Sequence, residues 1–257
     1  MEQRFTFDEA ASLYNAARPD YPAALRDDVV SIVGLGPDDA ILDVGCGTGL
    51  ATRGFAPLGC HIVALDPGPN MIEVARGALK DFANVEFVIS TFEAWPAPPA
   101  AFRLVMAAQS WHWVAPEIRF AKAARALRPD GYLAVFGNVP VGIADEPLHR
   151  DFRRIYLDHI GVWGPPPESR YLPSGPFAAD FDASGLFGPV VHKSYPWRRR
   201  HSASSYVDLM STHSDFRLLA PERQAALAGA IGEAIETRGG AFEMLHETHL
   251  YLARQAL

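Results

Sequence analysis

Residues 41–50 read ILDVGCGTGL, an apolar strand that runs into three glycines spaced two apart. The strand is expected to end at Asp43, after which the chain gives up side chains at Gly45, Gly47 and Gly49. Glycine reaches left-handed dihedrals and lets another molecule lie directly against the main chain. A flat or extended ligand is therefore expected on this turn: a dinucleotide, a phosphate, or a different nucleotide-like cofactor. Spacing rejects the first two. A dinucleotide turn reads G-x-G-x-x-G, and here Leu50 fills its third glycine position; a phosphate loop ends in Gly-Lys-Ser/Thr, which is absent.

Outward from the turn, apolar runs of strand length recur at Ala40 to Val44, His61 to Asp66, Val85 to Ile89, Phe102 to Ala108 and Gly131 to Phe136. Nearly continuous apolar strands are those with both sheet faces covered by helices. Between them, Met71 to Leu79 and Ile118 to Leu127 carry apolar residues at helical spacing. The alternation predicts an α/β fold with a doubly wound, mostly parallel sheet. One domain is expected over 1–257: an N-terminal helical cap at 1–35, broken at Arg18-Pro19; a cofactor-binding half at 36–137; a proline-rich lid or substrate insertion at 138–184, including GPPP at 164–167; and a C-terminal part at 185–257 that completes the sheet.

Bulk composition narrows the function. Hydrophobic residues make up 49% of the chain, enough for a sizeable core, and the net charge of -7 argues against a protein that mainly grips phosphate backbones. Two cysteines, Cys46 and Cys60, make no disulfide framework. The N-terminus carries charges where a signal peptide needs an apolar stretch, and no apolar run approaches membrane-spanning length. A cytoplasmic protein without membrane attachment is expected. No cluster has zinc-ligand spacing, so no metal is expected.

Asp66 closes the second strand, beside the glycine turn in a parallel sheet. A carboxylate there can accept hydrogen bonds from both hydroxyls of a ribose. The site thus calls for an adenosine-like ribose without a pyrophosphate.

With these residues in place, Asp43-Val44-Gly45-Cys46-Gly47-Thr48-Gly49 resembles the first motif of class I S-adenosylmethionine-dependent methyltransferases, and the resemblance runs from the N-terminal helices to the final strand. It implies a seven-stranded Rossmann-like methyltransferase fold and S-adenosylmethionine as cofactor. It implies that the turn (Asp43, Gly45, Cys46, Gly47, Gly49) passes under the methionine part of the cofactor. Asp66, followed by Pro67, would hold the ribose, and Met71 would pack on the adenine. Thr91, Phe92 and Glu93 stand where the family commonly has Asp-Ala-Glu against the adenine; Thr91 replaces the usual carboxylate. Tyr14-x-x-x-Arg18-Pro19-x-Tyr21-Pro22 and Ala108-Gln109-Ser110-Trp111-His112-Trp113 resemble small-molecule enzymes of the trans-aconitate methyltransferase type, as does the stretch from Tyr206 to Ser214. That likeness puts Tyr14, Arg18, Ala108 and Gln109 at the cofactor.

Ligands of open α/β sheets sit at the carboxyl ends of strands, where residues 108–113 lie. His112 is the candidate orienting group or base, since imidazole titrates near neutrality. Tyr14, Trp111, Trp113 and Tyr206 are the candidate walls of the acceptor pocket, with one tryptophan expected to face the core. The expected activity is methylation of a small molecule at oxygen, a carboxylate included. Methylation of a macromolecule (tRNA, DNA or protein) is the competing enzyme reading, and the acidic balance speaks against it. A cofactor-binding module without catalysis is the third reading; it should lack an enclosed second pocket. Arg198-Arg199-Arg200 reads as the guarded edge of a sheet, and His246 and His249, three apart on a strand, face opposite sides.

Overall fold

The computed structural model describes residues 8–163 and 167–256. Most of the GPPP run (164–166) and the first seven residues lie outside the described residues. A cap of two helices, α1 (Ala11–Ala17) and α2 (Ala23–Val33), precedes the sheet, with α2 ending on Gly34 at φ +68°. Its buried stripe, Leu25, Val29 and Val33, has the four-residue spacing of one helical face.

The chain then alternates: β1 (Ala40–Val44), the short α3 (Thr52–Phe55), β2 (His61–Asp66), α4 (Pro69–Ala78), β3 (Val85–Ile89), β4 (Phe102–Ala108), α5 (Pro116–Ala126) and β5 (Leu127–Ile143). It continues with α6 (Glu146–Ile160), α7 (Phe177–Ser184), β6 (Val191–Ser202), α8 (Ala203–Ser211), α9 (Ser214–Arg217), α10 (Pro221–Thr237) and β7 (Ala241–Arg254). The seven strands lie in the order β3-β2-β1-β4-β5-β7-β6. The first five are parallel, and β7 runs antiparallel between β5 and β6. Strand order reverses between β1 and β4, which opens a crevice at their carboxyl ends.

Alternation along the strands feeds two cores. Leu42, Val44, Val105, Leu133 and Val135 pack on one face, and Ile41, Leu104, Met106, Ala134 and Phe136 on the other with α2. A third cluster joins α6, α8 and α10 to Phe242 and Met244 of β7.

One boundary differs from the sequence expectation. Residues 138–143, assigned to the insertion, continue β5 and pair with β7 up to Ile143↔Met244. Pro140, which reads as a strand breaker, sits at a register shift between Pro140 and Gly142, where its missing N–H is tolerated. The edge strand β6 carries Pro196 and the three arginines, Arg199 donating to the Ala17 carbonyl at 2.7 Å. His246 stacks on Trp197 and His249 on His192, on opposite sheet faces. Among the described residues no helix is long and apolar enough to cross a membrane, and no cluster of three His, Cys, Asp or Glu could hold a metal.

Candidate active site

The crevice holds a cavity, at the place where open α/β sheets bind their ligands. Its floor is the glycine turn, tied down where the Gly45 and Cys46 N–H groups donate to the Leu65 carbonyl at 2.7 and 2.9 Å. All three glycines have positive φ, yet they serve different ends. A Cβ on Gly49 would meet Leu79 Cδ1 at 2.9 Å, and one on Gly45 would run into Ser110 Cβ. Those two let α4 and the end of β4 close on the turn. Only at Gly47 would a Cβ enter empty space, so the main chain there is bare toward the cavity. Gly49 is therefore a packing glycine and does not line the cavity.

Asp66 faces the same space. Its Oδ2 accepts from Gly47 N–H at 2.9 Å and its Oδ1 from Gly68 N–H at 2.8 Å. Both oxygens are aimed, and each keeps lone-pair capacity for a further donor. Burial raises its pKa to about 6, against the lowering effect of those two N–H groups. Pro67, Met71, Thr91, Phe92, Glu93, Ala108 and Gln109 also line the cavity, together with Cys46 and Tyr14. Glu93 also anchors a helix, its Oε1 accepting from Ala115 N–H at 3.0 Å at the start of α5.

Asp43 does not reach the cavity. It is fully buried beneath the turn, Oδ2 accepting from Thr52 Oγ1 at 2.7 Å while Oδ1 has no partner among the described residues. Burial lifts its pKa to about 7. A group whose folded pKa exceeds its unfolded value gives stability that is complete below the unfolded pKa of 3.8 and lost as pH rises through about 7. A rise of that size corresponds to roughly 4 kcal/mol. Asp43→Asn is expected to flatten the pH dependence of urea stability between pH 4 and 8 by up to about that amount. An identical pH dependence in the two proteins would mean that Asp43 stays ionised in the fold at no cost.

A second, smaller chamber adjoins the first and shares Tyr14, Gln109 and Trp113 with it. Arg18 lies here, not at the glycine turn. Its Nε donates to Thr212 Oγ1 at 2.9 Å, its Nη1 is 3.6 Å from Glu168 Oε1, and its guanidinium lies over the Tyr14 ring. Glu168 Oε2 is buried without a hydrogen-bond partner among the described residues. His112, His213, Ser214 and Asp215 complete the lining. His112 does not titrate near neutrality: burial, reinforced by Arg170, lowers its pKa to about 4. Burial and Arg18 lower His213 to about 3. Both rings are neutral at physiological pH.

Two candidate wall residues are elsewhere. Trp111 is wholly buried in the core, edge-on to Phe120 at 5.5 Å, because the 3-10 turn Trp111–Trp113 sends successive side chains in different directions. Tyr206 belongs to the helical cluster, stacked on Phe152 at 5.2 Å, and lines neither chamber.

The structure adds a residue that sequence reading passed over, Asp8, and shows how Gln109 and Ser110 are held. Asp8 caps α4, its Oδ1 accepting from the Asn70 and Met71 N–H groups at 2.8 and 3.0 Å, on the rim of the larger cavity. Gln109 has φ +53°, a left-handed conformation that non-glycine residues adopt sparingly and that gathers at functional sites. Ser110 donates to the Val44 carbonyl, joining the ends of β4 and β1.

The residues fit an S-adenosyl cofactor on grounds of structure: a bare main chain at Gly47, an aimed carboxylate at Asp66, a buried hydroxyl at Thr48 without a partner among the described residues, and apolar walls at Met71 and Phe92.

Comparison with known proteins agrees. Residues 41–131 match the family described as Methyltransferase domain. An uncharacterized methyltransferase-like protein of Schizosaccharomyces pombe is 34% identical over 239 residues, spanning 90% of this chain and 86% of the relative. An uncharacterized methyltransferase of Mycobacterium tuberculosis is 29% identical over 213 residues, 83% of this chain and 78% of the relative. Among solved structures, a putative type II methyltransferase from Anaeromyxobacter dehalogenans superposes with a TM-score of 0.64 at 23% identity, covering 92% of this chain and 97% of the other.

Proposed function

The chain belongs to the class I S-adenosylmethionine-dependent methyltransferases, and on that premise we propose that it methylates a small molecule at a hydroxyl oxygen in the second chamber. The observation that carries this reading is the chamber itself, which abuts the larger cavity through Tyr14, Gln109 and Trp113. A cofactor-binding module without catalysis has no use for it. The chamber's lining speaks against a diacid acceptor. The only guanidinium lining it among the described residues, Arg18, already faces Glu168, and Asp215 adds a second carboxylate. An anionic acceptor would meet more repulsion there than attraction.

In this reading Asp66 accepts from the ribose hydroxyls, Gly47 offers its main chain to the methionine portion, and Met71 and Phe92 flank the adenine. S-adenosylmethionine, when bound, supplies an electrophilic methyl group; its transfer forms an O–C bond, breaks the S–C bond and leaves the hydroxyl proton to be taken up. The chain's residues do the rest. Tyr14 and Trp113 wall the junction and exclude water. His112, neutral, orients the hydroxyl. Glu168 accepts the proton at its unpartnered Oε2, since an alcohol or phenol keeps its proton at pH 7.

The test is release of S-adenosylhomocysteine with matched pairs of alcohols or phenols and their carboxylate analogues, beside bulk RNA and protein. Conversion of hydroxyl compounds is expected. Labelling of RNA or protein with every small molecule inert would overturn the proposal.

A further inference from the structure

We propose that Tyr171 is a positioning residue that sets the ring tautomer of His112, so that His112 meets the acceptor as a hydrogen-bond donor through Nε2–H and not as a base. The proposal rests on the second chamber being the acceptor chamber.

Tyr171 ends the 3-10 segment Pro167–Tyr171 of the insertion, and its side chain is wholly buried. Its place is built. The ring lies flat on the main chain of Gly137 in β5, where any Cβ would come within 2.8–2.9 Å of three ring carbons. Tyr251 Oη donates to the Tyr171 and Leu172 carbonyls, both at 2.9 Å, and Phe177 packs on the ring at 4.8 Å. So fixed, the Tyr171 hydroxyl reaches His112 Nδ1 at 3.3 Å, with the two rings edge-on at 84°.

Counting protons gives the direction of that bond. A phenol has one donor, and a neutral imidazole has one N–H and one bare nitrogen. If Nδ1 carried the proton and donated, the phenol proton would have no acceptor among the described residues, and buried donors are rarely left orphaned. With the phenol donating, every proton at the contact is used, and what remains spare is acceptor capacity. Nδ1 is then bare and Nε2 carries the hydrogen, because the bond at one ring nitrogen decides the state of the other. Nε2 makes no hydrogen bond among the described residues, and His112 lines the chamber. The same chamber holds the unpartnered acceptor Glu168 Oε2. One donor and one acceptor on one small space match a hydroxyl, which does both.

The experiment is nitrogen-15 spectroscopy of the histidine rings in the full-length protein saturated with S-adenosylhomocysteine at pH 7, with His112→Gln assigning the signal. The expected result is an unprotonated Nδ1, displaced upfield by an accepted hydrogen bond, and a protonated Nε2. Tyr171→Phe should populate the Nδ1–H form, read as a downfield move of the averaged Nε2 signal, while cofactor affinity stays within about twofold, as for a residue outside the cofactor cavity. A protonated Nδ1 in the wild type, or an Nε2 signal unmoved by Tyr171→Phe, overturns the proposal; the wild-type spectrum alone decides where the variant does not fold. No acceptor is present in this measurement, so it stands apart from the chamber's assignment. Failure of that assignment shows instead as a methylated acceptor whose binding leaves the His112 ring signals unchanged.

Discussion

Glu168→Gln is expected to lower kcat for a hydroxyl acceptor by about 10²–10⁴-fold, the range that a positioned general base contributes. The substitution keeps the size of the side chain and a carbonyl oxygen toward Arg18, while removing the basicity of Oε2, the buried oxygen with no partner among the described residues. Of the other groups on the chamber, His112 has its Nδ1 engaged by the Tyr171 hydroxyl at 3.3 Å. Asp215 is exposed, and its Oδ1 already accepts from Phe216 N–H at 2.9 Å. Glu168 is thus the base that the geometry leaves over. Because it lines only the second chamber, cofactor affinity in the variant is expected to stay near wild type, separating a lost proton acceptor from a damaged site. Calorimetry with S-adenosylhomocysteine and initial rates of its release check the two halves. A kcat within twofold of wild type would remove Glu168 from the chemistry.

How much of this was legible in the chain depends on how far apart in sequence the partners lie. The strand–turn–strand unit from Ala40 to Asp66 could be read because alternation places β2 beside β1, so Asp66 had to end next to the glycine turn. Met71 and residues 91–93 followed from the same short connections. The second chamber could not be read in that way. Arg18 meets Thr212 across 194 residues, and Glu168 and residues 213–215 arrive from the insertion and the C-terminal helices. No local pattern encodes such a meeting. Arg18 was accordingly expected at the cofactor, although its helix delivers it one chamber away.

Other differences come from direction. The three glycines look alike in sequence, yet Gly45 and Gly47 line the cavity, Gly49 does not, and only at Gly47 is the Cβ position empty, because what stands above each one is set by α4 and β4. Trp111 and Trp113 are two apart in a 3-10 turn, and which one faces the core depends on Phe120 and on Arg119, which donates to the Trp111 carbonyl and pairs with Asp180. Tyr206 has the look of a pocket tyrosine and is claimed by Phe152 and Phe242. His112 was expected to titrate near neutrality on the strength of an unperturbed imidazole, and burial removed that property.

Asp66→Ala is expected to weaken cofactor binding by about 1.5–3 kcal/mol, a factor of roughly 10 to 150, the scale of losing hydrogen bonds to a charged acceptor. The two oxygens are held by Gly47 and Gly68 N–H before any ligand arrives, so the site has already met the cost of orienting them. Loss of the side chain should not unfold the protein. Burial raises the Asp66 pKa from 3.8 to about 6, an ionic penalty of roughly 3 kcal/mol at neutral pH that the alanine variant escapes. That relief offsets the two main-chain hydrogen bonds given up, at about 0.5–1.5 kcal/mol each. The same pKa predicts a pH signature. If ribose hydroxyls favour the ionised carboxylate, wild-type affinity for S-adenosylhomocysteine falls as pH drops below about 6, while Asp66→Ala lacks that step. Any decline that persists in the variant nearer pH 7 belongs to Asp43 beneath the turn. Titration calorimetry from pH 5 to 8 on both proteins measures affinity and pH dependence together. Equal dissociation constants across that range would place the ribose away from Asp66, and with it the orientation proposed for the cofactor.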